Sequence, residues 1–230
     1  MRARGLRAVV FAPLIKTAPP RSWRALDTAL RGLCRYDAVV FASATAVDVF
    51  FDRAKTTMRK RPSPPPLTAA VGPATAKALA RYGWKPSVVP EDARAEGLAA
   101  ALRLPKGSRV LLPRAERGRE ILPRLLRKAG ARVTLVTAYR TLADHDGRRA
   151  LRQALSSGAQ AVLFASPSAV ESAACALGRE RMKRAFLKIA AVAIGPTTAS
   201  ALQTCGVRPA AVSKRPDSES FALAASKALS

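Results

Sequence analysis

Residue types that commonly hold metals or form disulfides are scarce in this sequence. Its 230 residues include three cysteines and one histidine. The cysteines are Cys34, Cys175 and Cys205. They form no CxxC or Cys/His spacing, so we expect free thiols in buried or half-buried positions and no metal site. His145, between Asp144 and Asp146, reads as part of an exposed turn, which disfavours a histidine-dependent catalytic triad.

Acidic and aromatic residues are also few. The sequence has 15 Asp and Glu and 40 Lys and Arg, which gives a formal net charge of +25 and a pI near 11.5. Such a field attracts polyanions, so we expect an anionic partner. Aromatic residues make up 5%, whereas proteins that bind single-stranded nucleic acid alternate basic residues with stacking aromatics. A nucleic-acid-associated basic protein is therefore a minor alternative, whose signature is a linear fall of log affinity with log salt.

Long hydrophobic runs are missing, although 49% of the residues are hydrophobic. That fraction excludes a disordered chain and, with the length, predicts one large or two small folded domains. The longest apolar runs, Ala8–Pro13 and Ile189–Ile194, fall well short of the roughly 20 residues of a membrane-spanning helix. Arg2, Arg4 and Arg7 interrupt the start of the chain, which is atypical of a secretory signal. We therefore expect a cytoplasmic protein without a membrane segment.

An internal repeat organises the chain. Ala38-Val-Val-Phe-Ala-Ser43 recurs as Ala161-Val-Leu-Phe-Ala-Ser166, and Val71-Gly-Pro-Ala-Thr75 recurs as Ile194-Gly-Pro-Thr-Thr198, both at an offset of 123 positions. About a third of the positions from 38 to 102 match their counterparts. Each copy reads as a strand, a Ser-capped helix, a second strand, a Gly-Pro-x-Thr turn, a helix and another short strand, the second helix ending at Gly83 or Gly206. This alternation predicts an α/β fold of two similar domains with doubly wound parallel sheets.

The residues between the two copies add half of a further repeat. Arg109–Pro113 is predicted as a strand, Glu116–Ala129 as a helix ended by Gly130, and Arg132–Thr137 as a strand. The stretch from Gly5 matches the stretch from Gly130, but no counterpart of the preceding strand and helix is found. We therefore expect the first domain to lack its first strand and helix, about twenty residues. This loss would leave an unpaired position in the sheet.

The repeat also indicates where the chain changes domain. Ala8–Ile15 and Val133–Tyr139 occupy equivalent positions and are the candidate crossover strands. The predicted bounds are residues 1–15 plus 142–230 for domain 1 and 16–141 for domain 2, with linker strands near 8–15 and 133–141.

Four Ser/Thr segments follow strand ends directly before helix N-termini, where ligands bind in open α/β sheets. Free N–H groups, the positive helix end and hydroxyl donors there favour an anionic ligand, although ordinary helix capping also explains such residues. The predicted binding residues are Ser43, Thr45, Gly72, Thr75, Ser166, Ser168, Gly195, Thr197 and Thr198. Dinucleotide, nucleoside-triphosphate and metal chemistry lose support, because no Gly-x-Gly-x-x-Gly, Walker-type or His-Glu-x-x-His motif is present.

Seven short segments together carry a family resemblance. They are Tyr36–Ser43, Ala70–Ala76, Ala95–Leu98, Leu112–Arg114, Thr137–Thr141, Phe164–Val170 and Ala193–Ala199. Each is a weak motif by itself, but in this order, over nearly the whole chain, they resemble the uroporphyrinogen-III synthases of tetrapyrrole biosynthesis. That family implies two α/β domains joined by a two-stranded linker, with the first domain built from both chain ends.

The resemblance also implies an activity. Members of the family are cofactor-free lyases that close the linear hydroxymethylbilane into uroporphyrinogen III, with inversion of ring D and loss of water. By resemblance, Tyr139 is the catalytic residue that donates a proton or hydrogen bond to the leaving hydroxyl, and Arg114 contacts a substrate carboxylate. The many carboxylates of a linear tetrapyrrole suit the positive charge of the chain.

The partners expected from this resemblance are few. They are the polycarboxylate substrate and, transiently, the preceding enzyme of the pathway; a monomer is expected, without nucleic acid, membrane, metal or cofactor. The alternative is a truncated or diverged family member that binds a polyanion or a partner without catalysis.

Overall fold

The protein is described by a computed structural model that covers residues 9–215 and 217–229. Its contacts divide the chain into two compact units. Unit 1 takes in the described residues up to Lys16 and from Leu142 onward, and unit 2 spans Thr17–Thr141. Each unit is an α/β assembly around its own core.

The described residues form eight strands and ten α-helices. The strands are β1 (Ile15–Ala18), β2 (Ala38–Phe41), β3 (Leu67–Ala70), β4 (Arg109–Ala115), β5 (Arg132–Ala143), β6 (Ala161–Phe164), β7 (Ala190–Ala193) and β8 (Ala211–Val212). The helices are α1 (Arg24–Arg31), α2 (Ala44–Thr57), α3 (Pro73–Arg81), α4 (Ala95–Ala101), α5 (Ile121–Lys128), α6 (His145–Ser156), α7 (Pro167–Leu177), α8 (Arg179–Ala185), α9 (Pro196–Thr204) and α10 (Ser218–Leu229). None of these helices has the length and apolar character needed to cross a membrane.

Unit 2 is built on a five-stranded sheet with the order β1-β5-β4-β2-β3. β2 lies between β3 and β4 and runs parallel to both. Its four residues are fully buried because helices cover both faces of the sheet. Phe41 packs in the cluster that includes Phe50 of α2, and Val40 packs in the cluster that includes Leu98 of α4 and Leu126 of α5. The predicted doubly wound parallel sheet is confirmed for this unit.

Unit 1 repeats this plan around a smaller sheet with the order β6-β7-β8, parallel throughout. β6 corresponds to β2, but among the described strands it pairs with β7 alone. Ala161, Val162 and Leu163 are accordingly only half-buried, whereas every residue of β2 is buried. No described strand takes the position beside β6 that β4 takes beside β2. The predicted loss of a strand and a helix from this domain stays a prediction, as does the two-stranded linker.

The predicted strand Ala8–Ile15 differs from the structure. Its first residue lies outside the described part of the chain, Val9–Leu14 is not in a strand, and β1 begins at Ile15. Pro13 has no amide hydrogen to donate to a strand ladder. The segment instead crosses the first turn of α6, where a Cβ on Gly147 would lie 1.8 Å from the Pro13 carbonyl oxygen.

Three further local predictions are corrected. The helix predicted over Glu116–Ala129 is the shorter α5, because residues 116–120 form a turn followed by an irregular loop before it. His145 is the first residue of α6, not part of a turn, since the Asp144 carboxylate caps that helix. The cysteines are free, as predicted, but Cys34 and Cys175 are exposed and only Cys205 is buried.

Candidate functional site

The start of α2 places a hydroxyl directly after the buried strand β2. Ser43 has extended backbone angles, and its Oγ accepts a hydrogen bond from the Ala46 backbone N–H at 3.2 Å. This is N-capping geometry, in which the side chain satisfies an N–H that has no partner inside the helix. Thr45, in the first turn of the same helix, is half-buried.

Tyr139 on β5 reaches this helix start. Its Oη lies 3.3 Å from the Ser43 Oγ, a distance at which either oxygen can donate. The pairing of β4 with β5 shifts by one residue between Arg114 and Ala115, where Ala115 pairs with Tyr139. An irregularity of this kind re-aims a side chain relative to a regular ladder. The Tyr139 ring is half-buried against the core of unit 2.

The neighbouring strand β3 leads to a second helix start in unit 2. Gly72 occupies the N-cap position of α3 and Pro73 its first turn. A Cβ on Gly72 would lie 3.0 Å from the Ala93 Cβ, so a larger residue would displace that segment. Thr75 is 4% exposed. Because β2 and β3 are parallel and adjacent, the helix starts that carry Ser43 and Thr75 follow the same edge of the sheet.

Arg114 has partners within its own loop. Its Nη2 donates to the Gly118 carbonyl oxygen and to the Glu120 carboxylate, both at 2.6 Å, and its Nε donates to the Ala115 carbonyl oxygen at 3.4 Å. A Cβ on Gly118 would lie 2.6 Å from the Arg114 Nε, so this glycine lets the guanidinium lie flat against the loop. The buried Nη1 has no hydrogen-bond partner among the described residues. Arg114 therefore organises residues 115–120 and retains one nitrogen, Nη1, without a partner among the described residues.

Gly118 and Glu120 were missed by the sequence analysis. Both fall in the stretch that was predicted as the start of a helix, so their contacts with Arg114 were not anticipated. A glycine between two arginines just after a strand is the signal that could have indicated a turn there.

The predicted residues of unit 1 lie at the equivalent helix starts. Ser166 caps α7 by accepting from the Ala169 N–H at 3.1 Å, and its Oγ lies 3.0 Å from the Ser168 Oγ. Gly195 is the N-cap residue of α9, with no atom near enough to obstruct an added Cβ. The two threonines of this turn differ, because Thr197 is exposed and Thr198 is 1% exposed.

The predicted site residues offer three kinds of hydrogen-bond donor: hydroxyls, backbone N–H groups and one guanidinium. Such groups bind carboxylates by hydrogen bonds and charge. Within the described residues, no group of three or more His, Cys, Asp and Glu could hold a metal ion. In unit 2 the structure brings Ser43 and Tyr139 into contact and leaves Arg114 engaged with its loop.

Comparison with known proteins decides the family. The family model described as Uroporphyrinogen-III synthase HemD matches residues 1–222. The chain belongs to this family. The predicted resemblance is thereby confirmed, and with it the α/β fold class of the uroporphyrinogen-III synthases.

Individual relatives agree with this assignment. The chain is 33% identical to a putative uroporphyrinogen-III synthase of Methanothermobacter thermautotrophicus over 189 residues, which are 77% of this chain and 74% of the relative. It is 36% identical to the uroporphyrinogen-III synthase of Synechococcus elongatus over 160 residues, which are 67% of this chain and 60% of that protein.

Solved structures show the same fold. A mutant uroporphyrinogen III synthase of the extremely thermophilic bacterium Thermus thermophilus matches with a TM-score of 0.73 at 24% identity, covering 96% of this chain and 88% of that chain. Uroporphyrinogen-III synthetase of Helicobacter pylori matches with a TM-score of 0.58 at 20% identity, covering 92% of this chain and 89% of that chain.

Proposed function

We propose that this chain is an active uroporphyrinogen-III synthase, a lyase that closes hydroxymethylbilane into uroporphyrinogen III with inversion of ring D and loss of water. The observation that carries the proposal is the contact of Tyr139 with Ser43 at the start of α2, in a chain of this family. A phenol O–H can serve as a donor to a leaving hydroxyl.

The first step of the proposed reaction is loss of the hydroxyl. Tyr139 donates its proton, or a strong hydrogen bond, to the hydroxymethyl oxygen, and the carbon–oxygen bond breaks as water leaves. The pyrrole nitrogen stabilises the resulting cation by electron donation. Attack by a substituted pyrrole carbon and rearrangement then invert ring D, and loss of a proton restores the aromatic system.

The proposed reaction uses only side chains and backbone groups of this chain. Elimination of water and carbon–carbon bond formation cause no net oxidation or reduction, so no redox cofactor is needed and we propose none. Holding a reactive linear substrate in a folded conformation itself accelerates ring closure.

We propose that the substrate carboxylates are held by helix-start hydroxyls and N–H groups, together with Arg114. The residues are Ser43, Thr45, Gly72, Thr75, Ser166, Ser168, Gly195, Thr197 and Thr198. The net charge of +25 supports a polyanionic substrate. The buried Nη1 of Arg114 has no partner among the described residues, so a carboxylate could engage it if residues 115–120 moved. We further propose a monomer that works in the cytoplasm and receives its unstable substrate through transient contact with the enzyme that makes it.

The test is an isomer analysis. Freshly generated hydroxymethylbilane closes spontaneously to the uninverted isomer I, so products formed with and without the protein are oxidised and their isomers separated. The proposal expects isomer III in excess over the protein-free control. Isomer I alone, from protein shown to be folded by circular dichroism, would contradict it.

One observation favours a second candidate. β6 lacks a described neighbour on the side where β2 pairs with β4, so the sheet of unit 1 is smaller than that of unit 2. A diverged family member that binds a polyanion or a partner without catalysis would tolerate such a reduced sheet. Binding of the linear substrate without isomer III would favour this candidate.

A further inference from the structure

Ser43 and its repeat counterpart Ser166 share one contact and differ in the other. Each hydroxyl accepts a hydrogen bond from the backbone N–H three residues on, at 3.2 Å for Ser43 and 3.1 Å for Ser166. The second neighbour of Ser43 is the Tyr139 phenol, whereas that of Ser166 is the Ser168 hydroxyl. Helix capping explains the contact that both serines share. It does not explain why Ser43 also contacts the Tyr139 phenol.

The hydrogen-bonding capacity of Ser43 limits what the phenol contact can be. A serine hydroxyl has two acceptor lone pairs and one hydrogen. The Ala46 N–H uses one lone pair, so one lone pair and the hydrogen remain for Tyr139. Ser43 can therefore accept from the protonated phenol and, after rotation of its hydrogen, donate to a phenolate.

We propose that Ser43 is the positioning residue of Tyr139: its hydroxyl accepts from the phenol before substrate binds, donates to the phenol oxygen once the single phenol hydrogen turns to the hydroxymethyl oxygen, and keeps donating as the phenol gives up its proton. This inference rests on the proposed function. In the step concerned, the proton passes from the Tyr139 Oη to the hydroxymethyl oxygen, the carbon–oxygen bond breaks, water leaves and a phenolate remains. The proton lost when the pyrrole system becomes aromatic again returns to that phenolate.

The surroundings of Ser43 strengthen the contact in the charged state. A hydrogen bond to an ionised oxygen is roughly twice as strong as one between neutral groups. The Ala46 N–H, which belongs to the positive end of α2, polarises the Ser43 hydroxyl toward donation. An interaction that gains strength as charge develops stabilises the transition state more than the bound substrate and so raises kcat.

A double-mutant cycle tests this coupling. Ser43→Ala, Tyr139→Phe and the double variant are assayed for initial rates of isomer III formation, with correction for spontaneous closure. We expect Ser43→Ala to lower kcat about tenfold, and a separate rise in KM would report the carboxylate contact proposed for the same hydroxyl. In the Tyr139→Phe background the same change should lower kcat by less than about twofold, because no phenolate remains to be stabilised.

Two further variants separate positioning from capping. Glycine at an N-cap costs only a few tenths of a kcal/mol, so Ser43→Gly should lower kcat like Ser43→Ala while the urea midpoint stays near that of the wild type. Ser43→Thr keeps the hydroxyl and the cap, and should restore kcat to within about threefold of the wild type. Ser166→Ala gives the stability cost of losing an equivalent cap without a phenol contact.

Two results would overturn the inference while leaving the proposed function standing. One is a tenfold loss from Ser43→Ala that is equally large in the Tyr139→Phe background, which would mean that Ser43 acts independently of the phenol. The other is a wild-type kcat for Ser43→Gly. Absence of isomer III with the wild-type protein is a different result, because it overturns the proposed function itself.

Discussion

The Arg53 guanidinium binds both carboxylate oxygens of Asp27, with each nitrogen–oxygen distance at 2.7 Å, and joins α1 to α2 in unit 2. Its central carbon also lies 4.9 Å from the centre of a Trp23 ring. The Asp27 side chain is 14% exposed and that of Arg53 is 25% exposed, so solvent screens this pair less than a fully exposed one. The hydrogen bond from Arg53 lowers the pKa of Asp27 below its ordinary value of 3.8.

This pair predicts an acid-dependent contribution to stability. Because the folded-state pKa of Asp27 is lowered, the stabilisation is fully present above the ordinary value and is lost as pH falls through the folded value. At pH 7, Asp27→Asn should reduce the free energy of unfolding by about 1–3 kcal/mol. That difference should shrink as urea unfolding is repeated from pH 5 down to pH 3.

The control for this prediction is Asp52→Asn. Asp52 pairs with Lys55 across one turn of α2, but both side chains are more than 60% exposed. Its loss should change stability by at most about 0.5 kcal/mol. An equal effect of both substitutions, or an Asp27→Asn deficit that stays constant into acid, would contradict the role given to the half-buried Asp27–Arg53 pair.

Gly147 predicts a steric limit in unit 1. A Cβ at this position would lie 1.8 Å from the Pro13 carbonyl oxygen, so the segment that contains Pro13 could not keep its contact with the first turn of α6. Gly147→Ala should destabilise the protein by about 3 kcal/mol, measured by urea unfolding. Gly32→Ala, where the nearest atom to the added Cβ is 3.4 Å away, serves as the control and should remain near wild type. Similar stability of the two variants would contradict this packing.

We predict that substitutions of Arg114 and Glu120 change substrate affinity to different extents. If Arg114 binds a substrate carboxylate, Arg114→Ala should raise KM by roughly 10- to 100-fold, the range for a hydrogen bond to a charged group. Glu120→Ala removes one of the three partners that Arg114 has inside the loop and should raise KM less than about threefold. Equal changes in KM for both variants would instead assign Arg114 to loop structure alone.

Tyr139 predicts a partial loss of turnover. Replacement by phenylalanine removes the proton donor but keeps the ring, so Tyr139→Phe should lower kcat roughly 100-fold, the low end for general acid catalysis. Activity should persist because substrate positioning is retained. The readout is the initial rate of isomer III formation, and a wild-type rate would contradict the assignment.

Tyr82→Phe is the matched control for that variant. The Tyr82 ring stacks on Phe51 with centroids 4.4 Å apart. Burial, together with a hydrogen bond to Asp48, raises the pKa of Tyr82. This phenol therefore belongs to the packing of unit 2, whereas the phenol in contact with Ser43 is that of Tyr139. Loss of the Tyr82 hydroxyl should leave kcat for isomer III unchanged.

Periodicity and the repeat did not predict α1 or α4, and the short strand predicted after Gly83 is an isolated bridge between Ala69 and Val88. They were enough to predict β2, α2, β3, α3, β4, α5 and β5 of unit 2, because an apolar strand followed by a Ser or Gly-Pro cap is a local signal. They were not enough for β6, which has nearly the sequence of β2 but is less buried. Burial depends on the neighbouring strand, and a segment's own sequence does not encode that neighbour.

The candidate site was only partly predictable for a related reason. Ser43 and Tyr139 were both named from sequence, yet they lie 96 positions apart, and their contact depends on β5 lying two strands from β2. Arg114 was assigned a substrate role, but its bonds to Gly118 and Glu120 depend on turns that replaced the predicted start of a helix. Side-chain partners set by tertiary contacts could not be read from local patterns.

The most direct test of the proposed synthase activity is the ratio of isomer III to isomer I as a function of protein concentration at fixed hydroxymethylbilane. Enzymatic closure competes with spontaneous closure, so the ratio should rise with protein concentration while the total rate of ring closure also rises. A protein that only binds the linear substrate would slow closure and yield isomer I at every concentration, and that result would contradict the account.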